Sequence, residues 1–209
     1  MIVDRIEPYY GKRSRYRVCL EGEADLVLYA KELGRYGIEE GSELSDETYE
    51  RIISEVLIPR ARKRAMHLLE KQDRTVKNLS DKLREGGFPE RVVEDAVGYV
   101  SSFHYLDDER YAENYVRYHQ DGKSKSRIRQ DLMRRGVDRD TIDAALDEGY
   151  EASEEQMVTD MLRRKHYDPT TADEKERMKM YRYLASRGFS YDIISDVMAH
   201  FSIESDGQI

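Results

Sequence analysis

Residues 124–148 read "SKSRIRQDLMRRGVDRDTIDAALDE", and two other stretches of the chain repeat their pattern. Residues 76–100 ("VKNLSDKLREGGFPERVVEDAVGYV") and 175–199 ("KERMKMYRYLASRGFSYDIISDVMA") align with them without gaps on a shared glycine. In every copy, apolar residues lie eight and four positions before that glycine and one, six and ten positions after it. Around Gly87, Gly136 and Gly188 respectively they are Leu79, Leu83, Phe88, Val93 and Val97; Ile128, Leu132, Val137, Ile142 and Leu146; and Met180, Leu184, Phe189, Ile194 and Met198. Matching positions in three copies indicate an internal repeat of about 50 residues.

The spacing within each copy predicts two helices joined by a sharp turn. Apolar residues three to four positions apart form one face of a helix, and glycine is the usual residue where a helix ends in the left-handed conformation. One more amphipathic segment precedes each copy, at 61–72, 108–119 and 153–167. Each repeat is therefore predicted to contain three helices. Because a unit of this size buries little apolar surface, neighbouring repeats should adjoin in an elongated array.

The first 58 residues differ from the repeats. Alternation of apolar and polar residues at 2–6 and 14–20, and the apolar run at 26–29, predict short β-strands, with a turn at 9–14. Ser45 begins a helical pattern that Pro59 is predicted to end or kink. The sequence thus predicts a mainly α fold: tandem three-helix repeats in an elongated array, preceded by a small N-terminal segment with short β-strands. The predicted parts are an N-terminal extension at 1–58, repeats at 59–106, 107–150 and 151–204, and a flexible tail at 205–209.

Composition restricts the classes of function. Asp and Glu number 43 against 35 Lys and Arg, which gives a net charge of −8. This balance argues against nucleic-acid binding through global charge, although a local basic patch remains compatible with it. Cys19 is the single cysteine, so no disulfide can form within the chain. No apolar run reaches the length of a membrane span and the N-terminus lacks the core of a signal peptide, so a cytoplasmic protein without a membrane partner is expected.

The sequence offers no catalytic or metal-binding constellation. The stretch "DGKS" at 121–124 resembles part of a phosphate-binding loop, but Arg117 stands where that loop requires glycine, and helical segments flank it. No two histidines are four residues apart, and one cysteine provides no zinc-binding spacing. We therefore predict a protein that is not an enzyme and that uses neither a cofactor nor a metal.

A local basic stretch stands out against the acidic whole. Residues 117–135 contain seven Lys and Arg residues and two acidic residues, Asp121 and Asp131, which gives this stretch a net charge of +5. The cations, predicted here as partner-binding residues, are Arg117, Lys123, Lys125, Arg127, Arg129, Arg134 and Arg135. The alternative is a solvated helix face stabilised by an Arg127–Asp131 pair. One such pair does not account for seven cations, so a binding patch is favoured, and Ser124 or Ser126 would begin its helix.

Tyrosine is unusually abundant, with 16 residues against 4 phenylalanines and no tryptophan. Tyr111, Tyr115 and Tyr118 would form one stripe along a helix. The stripe is interpreted either as packing within or between repeats, which is favoured, or as a surface that contacts a partner.

The second repeat resembles the signature region of the RecX family of recombinase regulators. The resemblance rests on an acidic start, an aromatic and a small residue, a basic stretch with Arg-Ile, a leucine, a basic-Gly-aliphatic turn and a closing I-x-x-A-L. In this chain those elements are Asp107–Asp108, Tyr111–Ala112, Lys123–Arg129 with Arg127–Ile128, Leu132, Arg135–Gly136–Val137 and Ile142–Leu146. Flanking repeats extend the resemblance more loosely over about 150 residues.

The resemblance implies a regulator that binds the RecA recombinase, in the groove of its nucleoprotein filament, and inhibits strand exchange and ATP hydrolysis. It implies a monomer whose contact with single- or double-stranded DNA, if direct, is weak. The basic stretch leaves an alternative open, in which the helix at 124–135 binds DNA independently of RecA and with strong dependence on salt.

Overall fold

The computed structural model describes residues 1–9 and 14–201 of the chain. Most of the turn predicted at 9–14 and the whole tail predicted at 205–209 therefore lie outside the described residues. The chain forms two compact units, one spanning Met1–Asp107 and the other beginning at Asp108. Within the described residues, no helix is both long enough and apolar enough to cross a membrane.

The first unit begins with the predicted strands. β1 (Val3–Pro8), β2 (Arg15–Leu20) and β3 (Leu26–Tyr29) form one antiparallel sheet in sequential order. Val18 lies on the central strand β2, where it pairs with Ile6 of β1 and with Leu26 of β3. The alternation in β2 places Val18 and Leu20 in the core, as the period of a half-buried strand predicts.

A short helix that the sequence analysis did not predict follows the sheet. α1 (Ala30–Tyr36) begins where β3 ends, and Glu32 accepts a hydrogen bond from the backbone N–H of Tyr29 at 2.7 Å. Gly37 closes the helix in the left-handed conformation, at φ 62°. The helix buries none of its residues fully, and only Leu33 and Tyr36 pack partly against the core, so the apolar periodicity from which a helix is inferred is short.

The sequence predicts that Pro59 ends or kinks a helix, and the structure shows that the helix does not end there. α2 (Asp46–Arg51) starts at the predicted N-cap Ser45, passes into a π-helical segment (Ile52–Leu57), and continues as α3 (Ile58–Leu69). The backbone N–H of Ile58 binds the carbonyl of Ile53, five residues back. The wider π turn immediately precedes Pro59, which lies in the first turn of α3, where its missing N–H costs little.

This helical run joins the sheet and the first repeat in one apolar core. Ile52, Ile53 and Leu57 are buried together with sheet residues such as Leu28. The same core contains residues of α4 (Val76–Glu85) and α5 (Glu90–Ser102), the predicted helix pair of the first repeat. The N-terminal sheet therefore supplies apolar surface that a lone three-helix repeat would leave exposed.

The second unit contains the other two repeats. Its helices are α6 (Asp108–His119), α7 (Lys125–Arg134), α8 (Arg139–Gly149), α9 (Glu154–Arg164), α10 (Glu174–Ser186) and α11 (Tyr191–His200). Each repeat has its own apolar core, and Ala152 packs against both. The prediction of a mainly α fold with three-helix repeats behind a small sheet is confirmed.

The glycines that anchor the repeat occupy the predicted conformation. Gly87, Gly136 and Gly188 have φ angles of 83°, 85° and 92°, a region that side chains with a Cβ avoid. The apolar positions aligned on them are buried in their cores or pack against them.

Candidate basic interface

α7 is positioned by its cap and by two apolar side chains. The Ser124 hydroxyl accepts a hydrogen bond from the backbone N–H of Arg127 at 3.1 Å, so Ser124, of the two candidate serines, is the N-cap. Ile128 and Leu132 are completely buried in the core of the second repeat. Because these residues fix the helix, the basic side chains are carried by its remaining faces.

Asp131 is the centre of the polar network on this helix. Its side chain is 6% exposed, and it accepts hydrogen bonds from the Lys123 ammonium at 2.9 Å and the Tyr115 hydroxyl at 3.1 Å. The Arg127 Nε lies 3.5 Å from the carboxylate, and the Arg134 guanidinium also binds it. Three of the seven predicted site cations therefore converge on one buried anion.

These contacts change the titration of both ends of the network. Burial raises the pKa of Asp131, but hydrogen bonds from Lys123 and Arg134 outweigh burial and hold the pKa at about 2. Burial lowers the pKa of Lys123, and its bonds with Tyr115 and Asp131 outweigh that effect, so the pKa lies above its usual value. The network is ionised at neutral pH.

A carboxylate with a lowered pKa contributes stability that disappears in acid. Asp131 stabilises the fold fully above its unfolded pKa, near 4, by about 2 kcal/mol, and the contribution is lost as pH falls to about 2. We expect the difference in unfolding free energy between the wild type and Asp131→Asn to shrink by about that amount over this range. Urea unfolding at several pH values measures it, and a difference that stays constant with pH would contradict the assignment.

The other predicted site cations have separate partners. Arg129 pairs with Asp143 on α8 at 2.7 Å, and Arg135 donates to the Tyr111 hydroxyl at 2.8 Å. The Lys125 ammonium lies 5.3 Å from the centre of the Tyr150 ring. Arg117 is exposed on α6. The seven cations thus do not form one uncompensated patch.

Guanidinium groups on the outer surface of α7 remain accessible in spite of these pairs. The side chain of Arg134 is 66% exposed and that of Arg129 is 43% exposed. A guanidinium has five N–H donors in a planar fork, so a single carboxylate leaves some of them available. The predicted Arg127–Asp131 pair is present, but as part of the larger network around Asp131.

The tyrosine stripe of α6 divides between two environments. Tyr115 is buried and its ring stacks on His119 at a centroid distance of 4.0 Å. Tyr118 is 78% exposed. The packing interpretation therefore holds for Tyr115, whereas Tyr118 is accessible to a partner.

The sequence analysis did not single out two further groups of cations. In α3, Arg60 pairs with Glu32 and Arg62 with Asp95, while Lys63 and Arg64 are exposed. In the third repeat, three exposed cations lie beside the beginning of α7: Arg164, Lys165 and Arg187. The sequence signals for these cations were the runs "RARKR" at 60–64 and "RRK" at 163–165.

Among residues 1–9 and 14–201, no group of three His, Cys, Asp or Glu side chains could hold a metal ion.

Repeated helix triplets that follow a small sheet, with a basic helix in the second triplet, define a helical repeat protein. Models of the RecX second, third and first three-helix domains match residues 107–146, 153–198 and 61–99. The chain belongs to the RecX family of regulatory proteins.

Individual relatives agree with this assignment over most of the chain. The Regulatory protein RecX of Caldanaerobacter subterraneus subsp. tengcongensis is 30% identical over 188 residues, covering 90% of this chain and 93% of the relative. The Regulatory protein RecX of Pseudomonas fluorescens is 36% identical over 139 residues, covering 66% of this chain and 89% of the relative. A crystal structure of regulatory protein RecX has a TM-score of 0.59 at 25% identity and covers 93% of this chain and 98% of that one. The crystal structure of RecX from Lactobacillus salivarius has a TM-score of 0.55 at 26% identity and covers 68% of this chain and 95% of that one.

Proposed function

We propose that the chain is a non-enzymatic cytoplasmic regulator that binds the RecA recombinase on its nucleoprotein filament and inhibits ATP hydrolysis and strand exchange. Membership of the RecX family carries this proposal. A free thiol at Cys19 agrees with a reducing compartment. The chain would act as a monomer and without a cofactor.

The outer surface of α7 is the contact that we propose for the filament. A filament that contains DNA carries closely spaced phosphates, which a cationic helix on an otherwise acidic protein complements. Asp131 holds Arg127 and Arg134 in place, so less side-chain freedom is lost when they bind. Lys123 would position this network, while Arg129, Arg134 and Arg135, with Lys125 and Arg117 nearby, would contact the partner.

Alanine variants test this surface better than charge reversal. Glutamate at position 127 or 134 would add a second carboxylate beside buried Asp131 and disturb the fold itself. In Arg129→Ala/Arg134→Ala, Lys123 and Arg127 still compensate Asp131, so folding should be retained. We expect the concentration that half-inhibits RecA ATPase activity on single-stranded DNA to rise about tenfold or more.

The matched control is Arg177→Ala/Arg182→Ala, which removes two exposed arginines from α10. Its inhibition should equal that of the wild type. If the folded Arg129→Ala/Arg134→Ala protein inhibits RecA normally, the surface of α7 is not the contact.

The density of cations at 117–135 favours a second candidate function. In it, the helix at 124–135 binds DNA independently of RecA. The same two variants discriminate the candidates. If this second function is correct, Arg129→Ala/Arg134→Ala should bind DNA more weakly than the wild type in an assay without RecA, Arg177→Ala/Arg182→Ala should bind normally, and the affinity should fall steeply with salt.

A further inference from the structure

A groove runs along the beginning of α7 and the ends of α9 and α10. One cavity of about 390 Å³ is lined by Gly122, Lys123, Arg127, Tyr183, Ser186 and Arg187, three of which are cations and none an anion. A cavity of about 430 Å³ shares Gly122, Tyr183 and Arg187 with it, so the two adjoin. The second cavity adds Arg164 and Lys165, and also Asp121 and Asp160.

Tyr183 lies at the centre of this groove between cations. The Lys165 ammonium is 5.1 Å and the Arg187 guanidinium 5.2 Å from the centre of its ring. For Arg164, Lys165 and Arg187, no carboxylate lies within ion-pair distance in the part of the chain that the structure describes. They differ in this from Arg127, Arg129 and Arg134 on α7, which have carboxylate partners.

The second and third repeats approach each other closely at one point beside the groove, between Ser124 and Gly188. The Ser124 hydroxyl is buried and donates a hydrogen bond to the carbonyl of Arg187 at 3.3 Å. A Cβ on Gly188 would lie 2.6 Å from that hydroxyl oxygen and 3.1 Å from the Cβ of Arg127. The backbones that carry Arg127 and Arg187 therefore lie close to each other, and both side chains line the same cavity.

We propose that this groove binds the phosphate backbone of a single-stranded nucleic acid. Five cations line its two cavities: Lys123 and Arg127, which also bind Asp131, and Arg164, Lys165 and Arg187. A series of cations suits repeating phosphates, and grooves of this kind with an aromatic side chain are typical of single-strand binding. The inference deepens the direct DNA-binding candidate, does not require RecA, and assigns the third repeat a part in recognition.

The test is binding of a fluorescent single-stranded oligonucleotide to the full chain, without RecA, followed by anisotropy over a range of salt concentrations. Lys165→Ala/Arg187→Ala should bind about tenfold more weakly at low salt than the wild type. The slope of log affinity against log salt should become less steep by about 0.7 for each phosphate contact removed. Lys175→Ala/Arg177→Ala is the matched control, with one lysine and one arginine removed from exposed positions of α10 outside the groove, and it should change neither quantity.

Each outcome decides the proposal. Unchanged affinity and slope in folded Lys165→Ala/Arg187→Ala would overturn it, as would a wild type that binds no oligonucleotide at low salt. If that variant binds the oligonucleotide normally but no longer inhibits RecA, the groove contacts an acidic protein surface, so the inference fails while the proposed function stands. If oligonucleotide binding is lost and RecA inhibition is retained, the inference holds independently of the proposed function. Thermal unfolding of every variant shows that folding is retained.

Discussion

Replacing Asp131 by alanine is expected to lower the free energy of unfolding by about 3 kcal/mol. The substitution leaves the charges of Lys123, Arg127 and Arg134 without their shared anion, and the Tyr115 hydroxyl without its carboxylate acceptor. The loss of unfolding free energy should stay below about 5 kcal/mol, which is the upper limit for breaking a buried ion pair, because the exposed Arg134 can turn towards water. Urea unfolding at neutral pH measures the effect.

Asp143 provides the control for this experiment. Its carboxylate also binds an arginine of α7 at 2.7 Å, but the Asp143 side chain is 53% exposed. Asp143→Ala should therefore cost no more than about 0.5 kcal/mol, the usual value of an exposed pair. Equal losses in the two variants would mean that burial of Asp131 does not determine its contribution.

Replacing Gly188 by alanine is expected to destabilise the second unit by about 2–4 kcal/mol. Part of the cost arises because φ at Gly188 is 92°, where a Cβ is strained. The remainder arises because that Cβ would approach the buried Ser124 hydroxyl. Gly98→Ala, in the middle of α5 where the added methyl has open space, should instead stabilise its helix by up to about 1 kcal/mol.

A double-mutant cycle separates the two parts of the cost. Ser124→Gly removes the hydroxyl, and glycine is tolerated at an N-cap with a loss of only a few tenths of a kcal/mol. In that background Gly188→Ala should cost about 1–2 kcal/mol less, which leaves mainly the backbone strain. The same cost in both backgrounds would show that the two repeats do not pack through Ser124 and Gly188.

Most of the fold was predictable because its signals are local. The left-handed glycines, the apolar positions around them and the strand alternation each depend on residues close in sequence. The continuous helix through Pro59 was not predictable in this way, since it depends on a π turn immediately before the proline. α1 was missed because it buries no residue fully.

The site was predicted only in outline. Cations on α7 were visible as charge, but the burial of Asp131 depends on Tyr115 and Lys123, which lie 16 and 8 residues away in the chain. The groove beside Tyr183 depends on contact between two repeats, and alignment of the repeats contains no information about how one packs on the next. Whether Arg129 and Arg134 contact a partner stays a prediction.

The helical run from Asp46 to Leu69 crosses the boundary between the N-terminal segment and the first repeat. The sequence repeat and the packed core therefore have different limits. The first half of the run covers the sheet and its second half is the first helix of a repeat, yet both bury residues in one core. A fragment that began at the first repeat would lose Ile52, Ile53 and Leu57, which are buried in the same core as Ala61, Ala65 and Leu68, and would leave that part of the core open to water. The three copies are therefore alike in pattern but unequal in autonomy, because the first shares its core with a neighbour that is not a repeat.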